Sequence, residues 1–506
     1  MSFPHFDPSS KHDRRVLAQK TARTWRQMVT WILAPLLIGI AGVSMANIST
    51  VCYEINRWIS SYLGWGAVIY MPVGYALLIF VSRRFFPGTQ GSGIPQAIAV
   101  LEDHDGTKKS NLLSVRIVIG RILLLIGGLV IGASIGHEGP MVQIGGSIMH
   151  IFFGYGTLKR AEHRQMLVLA GGAAGIAATF NTPIGGIMFA MEEMAKKYVY
   201  RGHNQTIFTV LMSGLVSLVI MGSYTYFGKY HVELDFVTHI PAILVCGVVG
   251  GLFGGVFSLL AQKTPDGLPE RLRRILTHHP MAFAAVCGLL MACLSLATDG
   301  LVNGTGYVPT KMALENDAAT HVWFYGPAKF AGTLLSALCG LPGGLFAPTL
   351  AVGGGLGDMV SHVLPDIAPH RALIILVMVA YLSGLTQSPL TAFVISVEIT
   401  GSYELLMPMI AVSLIANFVS KVVCPASFYH KLALRFEKPA VTGEEKENRK
   451  DGKAVDAGKP LTGASHPEGM PAGNTDTGRD NPVQRQEEPV KDTGKDTGQA
   501  GRSPPD

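Results

Sequence analysis

One carboxylate in this chain stands where an ionised group is expensive. Glu138 lies in Ile135-Gly-His-Glu-Gly-Pro140, and residues 122–136 just before it carry no charge. At membrane depth such a group marks an ion pathway or a proton relay. The glycines and the proline around it bring backbone close and break helical regularity. Two enzymatic readings of the same neighbourhood fail on spacing. His137-Glu138 begins a zinc-hydrolase HExxH pattern, but position 141 is Met141 instead of the second histidine. Ser92 has the chemistry of a nucleophile, yet no histidine is placed in a catalytic pattern with it. The chain is therefore expected to be no enzyme, with no cofactor and no metal.

Three short motifs share one design: Gly91-Ser92-Gly93-Ile94-Pro95, Gly136-His137-Glu138-Gly139-Pro140 and Gly343-Gly344-Leu345-Phe346-Ala347-Pro348. Each reads as a glycine-permitted turn entering a helix, with proline in the first helical turn. A helix N-terminus exposes unpaired N–H groups and about half a positive charge. Several such ends converging on one point make an anion site without a full positive charge. That suits transport, because an ion must bind well enough to enter and weakly enough to leave.

The elements that position these motifs are membrane helices. Of 506 residues, 48% are hydrophobic and 15% charged. Residues 165–191, 202–228, 236–262, 330–357 and 372–397 lack Asp, Glu, Lys and Arg. Each exceeds the roughly 20 residues a spanning helix needs. Further apolar runs lie near 28–50, 61–82, 112–136, 281–298 and 405–420. The fold class is all-α and polytopic. Lys11, Arg14, Arg15, Lys20, Arg23 and Arg26 precede the first span, so residues 1–27 are expected in the cytoplasm. No removable signal peptide is expected. Residues 28–436 form the transport domain. The stretch 437–506 contains no aromatic residue and reads as a disordered cytoplasmic tail. The net charge of +6 sits in flanking clusters and suggests no nucleic-acid partner. None of the six cysteines forms a CxxC pair. Gly247, Gly250, Gly251, Gly254 and Gly255 are read as helix-packing positions.

The halves, roughly 28–230 and 236–430, repeat a pattern. Glu138-Gly-Pro140 with Gly145-Gly146 parallels Phe346-Ala-Pro348 with Gly353-Gly354. Asn181-Thr-Pro183 with Glu192 parallels Gln387-Ser-Pro389 with Glu398. Repeats with interrupted apolar segments in matching places point to a site at the repeat interface. The direction of the second copy is not legible; transporters of this design suggest an inverted one.

The ordered motifs, together with Asn181-Thr-Pro…Glu192-Glu193-Met and Ser388-Pro-Leu-Thr…Glu398-Ile-Thr, resemble the CLC family of chloride channels and chloride/proton antiporters. The resemblance runs from about the first span to Tyr429. It implies two inverted repeats whose broken helices meet at a midplane anion site. It implies that Ser92, Tyr429 and the backbone N–H groups of Leu345 and Phe346 bind the anion. Glu138 would be the outer gate, and Glu193 the second proton residue of antiporter members. Chloride and protons would be the transported partners, in a homodimer embedded in lipid, at a bacterial inner membrane with both termini cytoplasmic. A passive chloride channel is the alternative, and a fluoride/proton exchanger a more distant one.

Bland readings accompany each residue. Ser92 suits a turn, Tyr429 a membrane interface, Glu138 a helix cap, and Glu192–Lys196 and Glu193–Lys197 a solvated helix end. This chain also departs from the family pattern. His137 replaces the usual arginine of the gate motif; it titrates near neutral pH, but a hydrogen-bonded structural histidine is expected. Gln96 replaces an acidic residue, which puts part of the usual charge network in doubt, and Arg121 stands where lysine is common.

Overall fold

The computed structural model describes residues 11–103, 110–154, 158, 160–195, 203–222, 224–263, 278–316 and 323–436, all within one compact unit. The tail expected at 437–506 lies outside the described residues.

Apolar composition makes helices here, and glycine and proline end them. The first half holds α1 (Lys11–Leu63), α2 (Ala67–Phe85), α3 (Ile94–Leu101) and α4 (Val115–Val130). It continues with α5 (Glu138–Ile151), α6 (Ala161–Phe180), α7 (Pro183–Phe189) and α8 (His203–Met221). The second half holds α9 (Ile240–Lys263), α10 (Pro280–Ala297), α11 (Tyr307–Asn316), α12 (Tyr325–Leu338) and α13 (Phe346–Val363). It ends with α14 (His370–Thr386), α15 (Pro389–Thr400), α16 (Leu406–Val423) and α17 (Phe428–Ala433).

Among the described residues, Met28–Phe85, Asn204–Met221, Ile240–Lys263, Pro280–Ala297 and Tyr403–Val423 are long and apolar enough to cross a membrane. The first of these is not straight. Ser60 and Tyr70 bring their hydroxyls within 3.1 Å, whereas ten helical residues rise about 15 Å. The chain reverses at Gly64, whose φ is 48°.

Three of the charge-free stretches expected to span are each split in two. Residues 165–191 break at Asn181, 330–357 break between Cys339 and Leu345, and 372–397 break at Gln387. Asn181 and Gln387 both sit in the left-handed region at φ 57°, each immediately before a residue that precedes a proline. They are equivalent positions of the repeat, and their amides donate to equivalent carbonyls, of Tyr224 and Cys424. Composition reports burial, not continuity.

The direction of the repeat is visible in two exchanges. The Gly136 N–H donates to the Gly344 carbonyl and the Gly344 N–H returns to Gly136, both at 2.7 Å. Glu398, at the end of α15, accepts from the N–H groups of Ile184 and Gly185 at the start of α7. Glu192, just past α7, accepts from those of Leu390 and Thr391 at the start of α15. Matching helices thus run antiparallel, which is what an inverted repeat requires. Each carboxylate caps the other repeat's helix. Glu398→Ala should lower stability by about 1–2 kcal/mol, the worth of a lost cap, seen as a lower thermal midpoint in detergent; an unchanged midpoint contradicts the cap.

At the centre of each repeat lies a helix buried on nearly every face, α6 and α14. Glycines admit their neighbours. A Cβ on Gly353 of α13 would come within 2.6 Å of Met378 Cα on α14, and Gly145 of α5 is pressed against the Gly171 carbonyl of α6. The α9 glycines form two rows, with Gly250 and Gly254 against α14 and Gly251 and Gly255 against α16. Outer helices instead expose large apolar side chains such as Val219, Phe418 and Val422, the surface a membrane covers.

Candidate functional site

The three glycine motifs meet. The Gly91 N–H donates to Gly340, the Gly343 N–H donates to Gly91, and Gly136 and Gly344 pair as described. The approach leaves no room for side chains. A Cβ on Gly93, where φ is 102°, would lie 2.6 Å from the Gly139 carbonyl oxygen, and one on Gly139 would lie 3.0 Å from Gly344 Cα. The motif prolines, Pro95, Pro140 and Pro348, fall in the first turns of α3, α5 and α13, as their missing N–H allows. The N-termini of α3, α5 and α13 are thereby gathered into one buried place.

Glu138 is fully buried, and its Oε2 accepts from the Ala347 N–H at 3.4 Å. The carboxylate therefore occupies the N-terminus of α13, beside the expected amides of Leu345 and Phe346. Ala347 was missed by the sequence reading, although it belongs to the same Gly343–Pro348 motif. The other oxygen, Oε1, has no hydrogen-bond partner and stands 3.7 Å from His137 Nε2.

Ser92 and Tyr429 are buried with their hydroxyls against each other, and neither hydroxyl is tied to any other group among the described residues. Two O–H donors beside helix N-termini, in contact with no described group but each other, form a donor set that fits a small anion. Full burial sets aside an interfacial role for the Tyr429 ring. Its phenol lies within electrostatic reach of both Glu193 and Glu138.

Glu193 sits on a single π-turn, Ala190–Met194, a distortion frequent at functional sites. It is 1% exposed, so the solvated-helix reading does not hold for it. Lys196 and Lys197 lie outside the described residues. The carboxylate accepts from the Ser388 hydroxyl, and the Glu193 backbone carbonyl accepts from His430 Nε2 at 2.9 Å. His430 Nδ1 meets the Glu102 carboxylate at 3.1 Å. Both ring nitrogens thus face acceptors. Sequence reasoning missed His430 and Glu102, which are 328 residues apart and carry no local signature.

The departures have structural counterparts. Gln96 Nε2 donates to the carbonyls of Gly88 and Gln90 while its Oε1 accepts from the Gly93 N–H. A carboxylate cannot donate, so a glutamine here holds the Ser92 loop with a neutral network. Arg121 is fully buried and reaches the Gly91 carbonyl. His137 departs from expectation: it is 2% exposed and neither ring nitrogen has a hydrogen-bond partner.

Two cavities adjoin the site. One, about 150 Å³, is lined by Ser92, Gln96, Leu345, Phe428 and Arg435. The other, about 130 Å³, is lined by His137 with Tyr53, Tyr224, Tyr226 and Tyr307. Among the described residues no cluster of His, Cys, Asp and Glu is arranged to hold a metal ion.

Comparison with known proteins places this architecture. The profile of the family described as "Voltage gated chloride channel" matches residues 73–421. The chain is 30% identical over 417 residues to the H(+)/Cl(-) exchange transporter ClcA of Klebsiella pneumoniae, covering 79% of this chain and 86% of the relative. The ClcA of Cronobacter sakazakii is 30% identical over 435 residues, with 83% and 87% covered. The structure of a slow cyanobacterial Cl-/H+ antiporter aligns with a TM-score of 0.69 at 22% identity, covering 82% of this chain and 98% of that one. A CLC-type fluoride/proton antiporter aligns at 0.65 and 19%, covering 80% and 98%. The chain is an integral membrane protein and belongs to the voltage-gated chloride channel family, CLC.

Proposed function

We propose that this protein exchanges chloride for protons across the membrane. The relatives it matches over most of their length are named as H(+)/Cl(-) exchange transporters, which supports that activity and the absence of an enzymatic one. The observation that carries the mechanism is the Glu138 carboxylate at the N-terminus of α13, fully buried, with a backbone amide as its hydrogen-bond donor.

A helix terminus contributes about 0.3–1 kcal/mol to an anion, up to about 2 when partly buried. Such a hold is weak enough for chloride and a carboxylate to displace one another. Protonation removes the charge that keeps Glu138 there. Glu138 is then the gate, alternating with chloride at amides that include Leu345, Phe346 and Ala347. Ser92 and Tyr429 supply hydroxyl donors at the central position. Glu193 is the inner proton station, with His430 against it and Glu102 on the far side of the His430 ring.

The basic residues Lys11 to Arg26, ahead of the apolar run of α1, orient the protein with its N-terminus in the cytoplasm, and the tail shares that side. A bacterial inner membrane suits the relatives. A homodimer with one pathway per subunit is the assembly the family resemblance implies.

The test is simultaneous chloride and proton flux in proteoliposomes. Exchange requires an outward chloride gradient to drive proton uptake against its own gradient, and the reversal potential to shift with pH. Chloride flux without coupled proton movement would establish the passive channel instead.

A further inference from the structure

The outer cavity contains a titratable group that the gate itself does not require. His137 lines it, is 2% exposed and has no hydrogen-bond partner on either ring nitrogen among the described residues. Its Nε2 faces the free oxygen of Glu138 at 3.7 Å. A structural histidine at this burial would have its nitrogens satisfied. We propose that His137 is an outer proton station that passes protons between the vestibule and Glu138, an inference that rests on the exchange reading above.

The step is a plain proton transfer. The vestibule protonates the imidazole; the imidazolium N–H bond breaks, an O–H bond forms on Glu138 Oε1, and neutral imidazole remains. A rotation of either side chain brings 3.7 Å to hydrogen-bond length. The reverse sequence discharges Glu138 outward.

Other groups around the cavity are poor substitutes. Tyr53 on α1 has Glu54 and Arg57 within electrostatic reach, and Tyr224 and Tyr226 follow α8. Tyr307 on α11 lies with its ring 5.9 Å from the Lys311 ammonium. Lys329 of α12 is buried with its ammonium donating to the carbonyls of Val302 and Gly304. Phenols keep their protons at neutral pH, and the Lys329 ammonium is tied to two carbonyls and does not line the cavity. Glu138 is the one carboxylate at ion-pair distance from His137 among the described residues.

The experiment measures chloride-driven proton flux in proteoliposomes for wild type, His137→Ala and His137→Gln as outer pH is varied. Both variants should slow proton flux about 10-fold, less than the roughly 100-fold cost of removing a general acid–base group, because Glu138 remains. The dependence of proton flux on outer pH should change in both variants. Imidazole added outside should restore His137→Ala, and choline at equal concentration should not. Wild-type flux and pH profile in both variants overturn the proposal, as does a loss that imidazole repairs in neither. Wild-type vesicles that move chloride without protons defeat the exchange reading itself, a result distinguishable from either.

Discussion

Glu193→Ala is expected to lower chloride-driven proton flux by about 100-fold or more, the low end of what a positioned proton-transfer group contributes, while chloride still flows. The residue is buried, so no solvated neighbour replaces it. Its carboxylate is held by Ser388 at the start of α15 and its carbonyl by His430. Alanine removes the carboxyl group and leaves the Ser92 and Tyr429 hydroxyls in place. Paired flux measurements in proteoliposomes read both ions at once. Proton flux at the wild-type level in the variant would remove Glu193 from the path.

The second large effect concerns the gate. Glu138→Gln cannot ionise, so it mimics the protonated side chain at every pH. Chloride flux should lose its pH dependence, and coupled proton flux should fall by about 100-fold. Geometry gives the reason. The carboxylate accepts from the Ala347 N–H across 3.4 Å, a long contact at a helix N-terminus, and a neutral amide loses the charge that favours that place. Anion flux should rise wherever the wild-type carboxylate is ionised and competes. A variant whose chloride flux still followed pH in the wild-type way would locate the gate elsewhere.

What could be read in advance was whatever a residue type records locally. Glu138 announces itself because a charge in an apolar run has few structural excuses. Gly93, Gly139 and Gly344 announce close backbone approach because only glycine fits it. The breaks at Asn181 and Gln387 were hidden, since a charge-free stretch looks the same whether one helix or two runs through it. Glu192 was read with Lys196, which lies outside the described residues, and the spacing gave no hint that its carboxylate also accepts from the N–H groups of Leu390 and Thr391, almost two hundred residues away. Spacing rules do not reach that far. His137 failed for another reason: burial together with missing partners is a property of the assembled cavity, not of a motif.

The contact between Glu138 and Ala347 spans 209 residues, and this has a consequence for how the protein is made. At synthesis rates of about 5–20 residues per second, Glu138 leaves the ribosome about 10 to 40 s before the amide it will accept from exists. Through that interval the first repeat contains a carboxylate at membrane depth with no helix terminus opposite it. The nascent half must keep the residue protonated, or in contact with water or the insertion machinery, until the second repeat arrives. Completing the gate is therefore also the event that lets this charge be buried, and biogenesis and transport depend on the same few atoms.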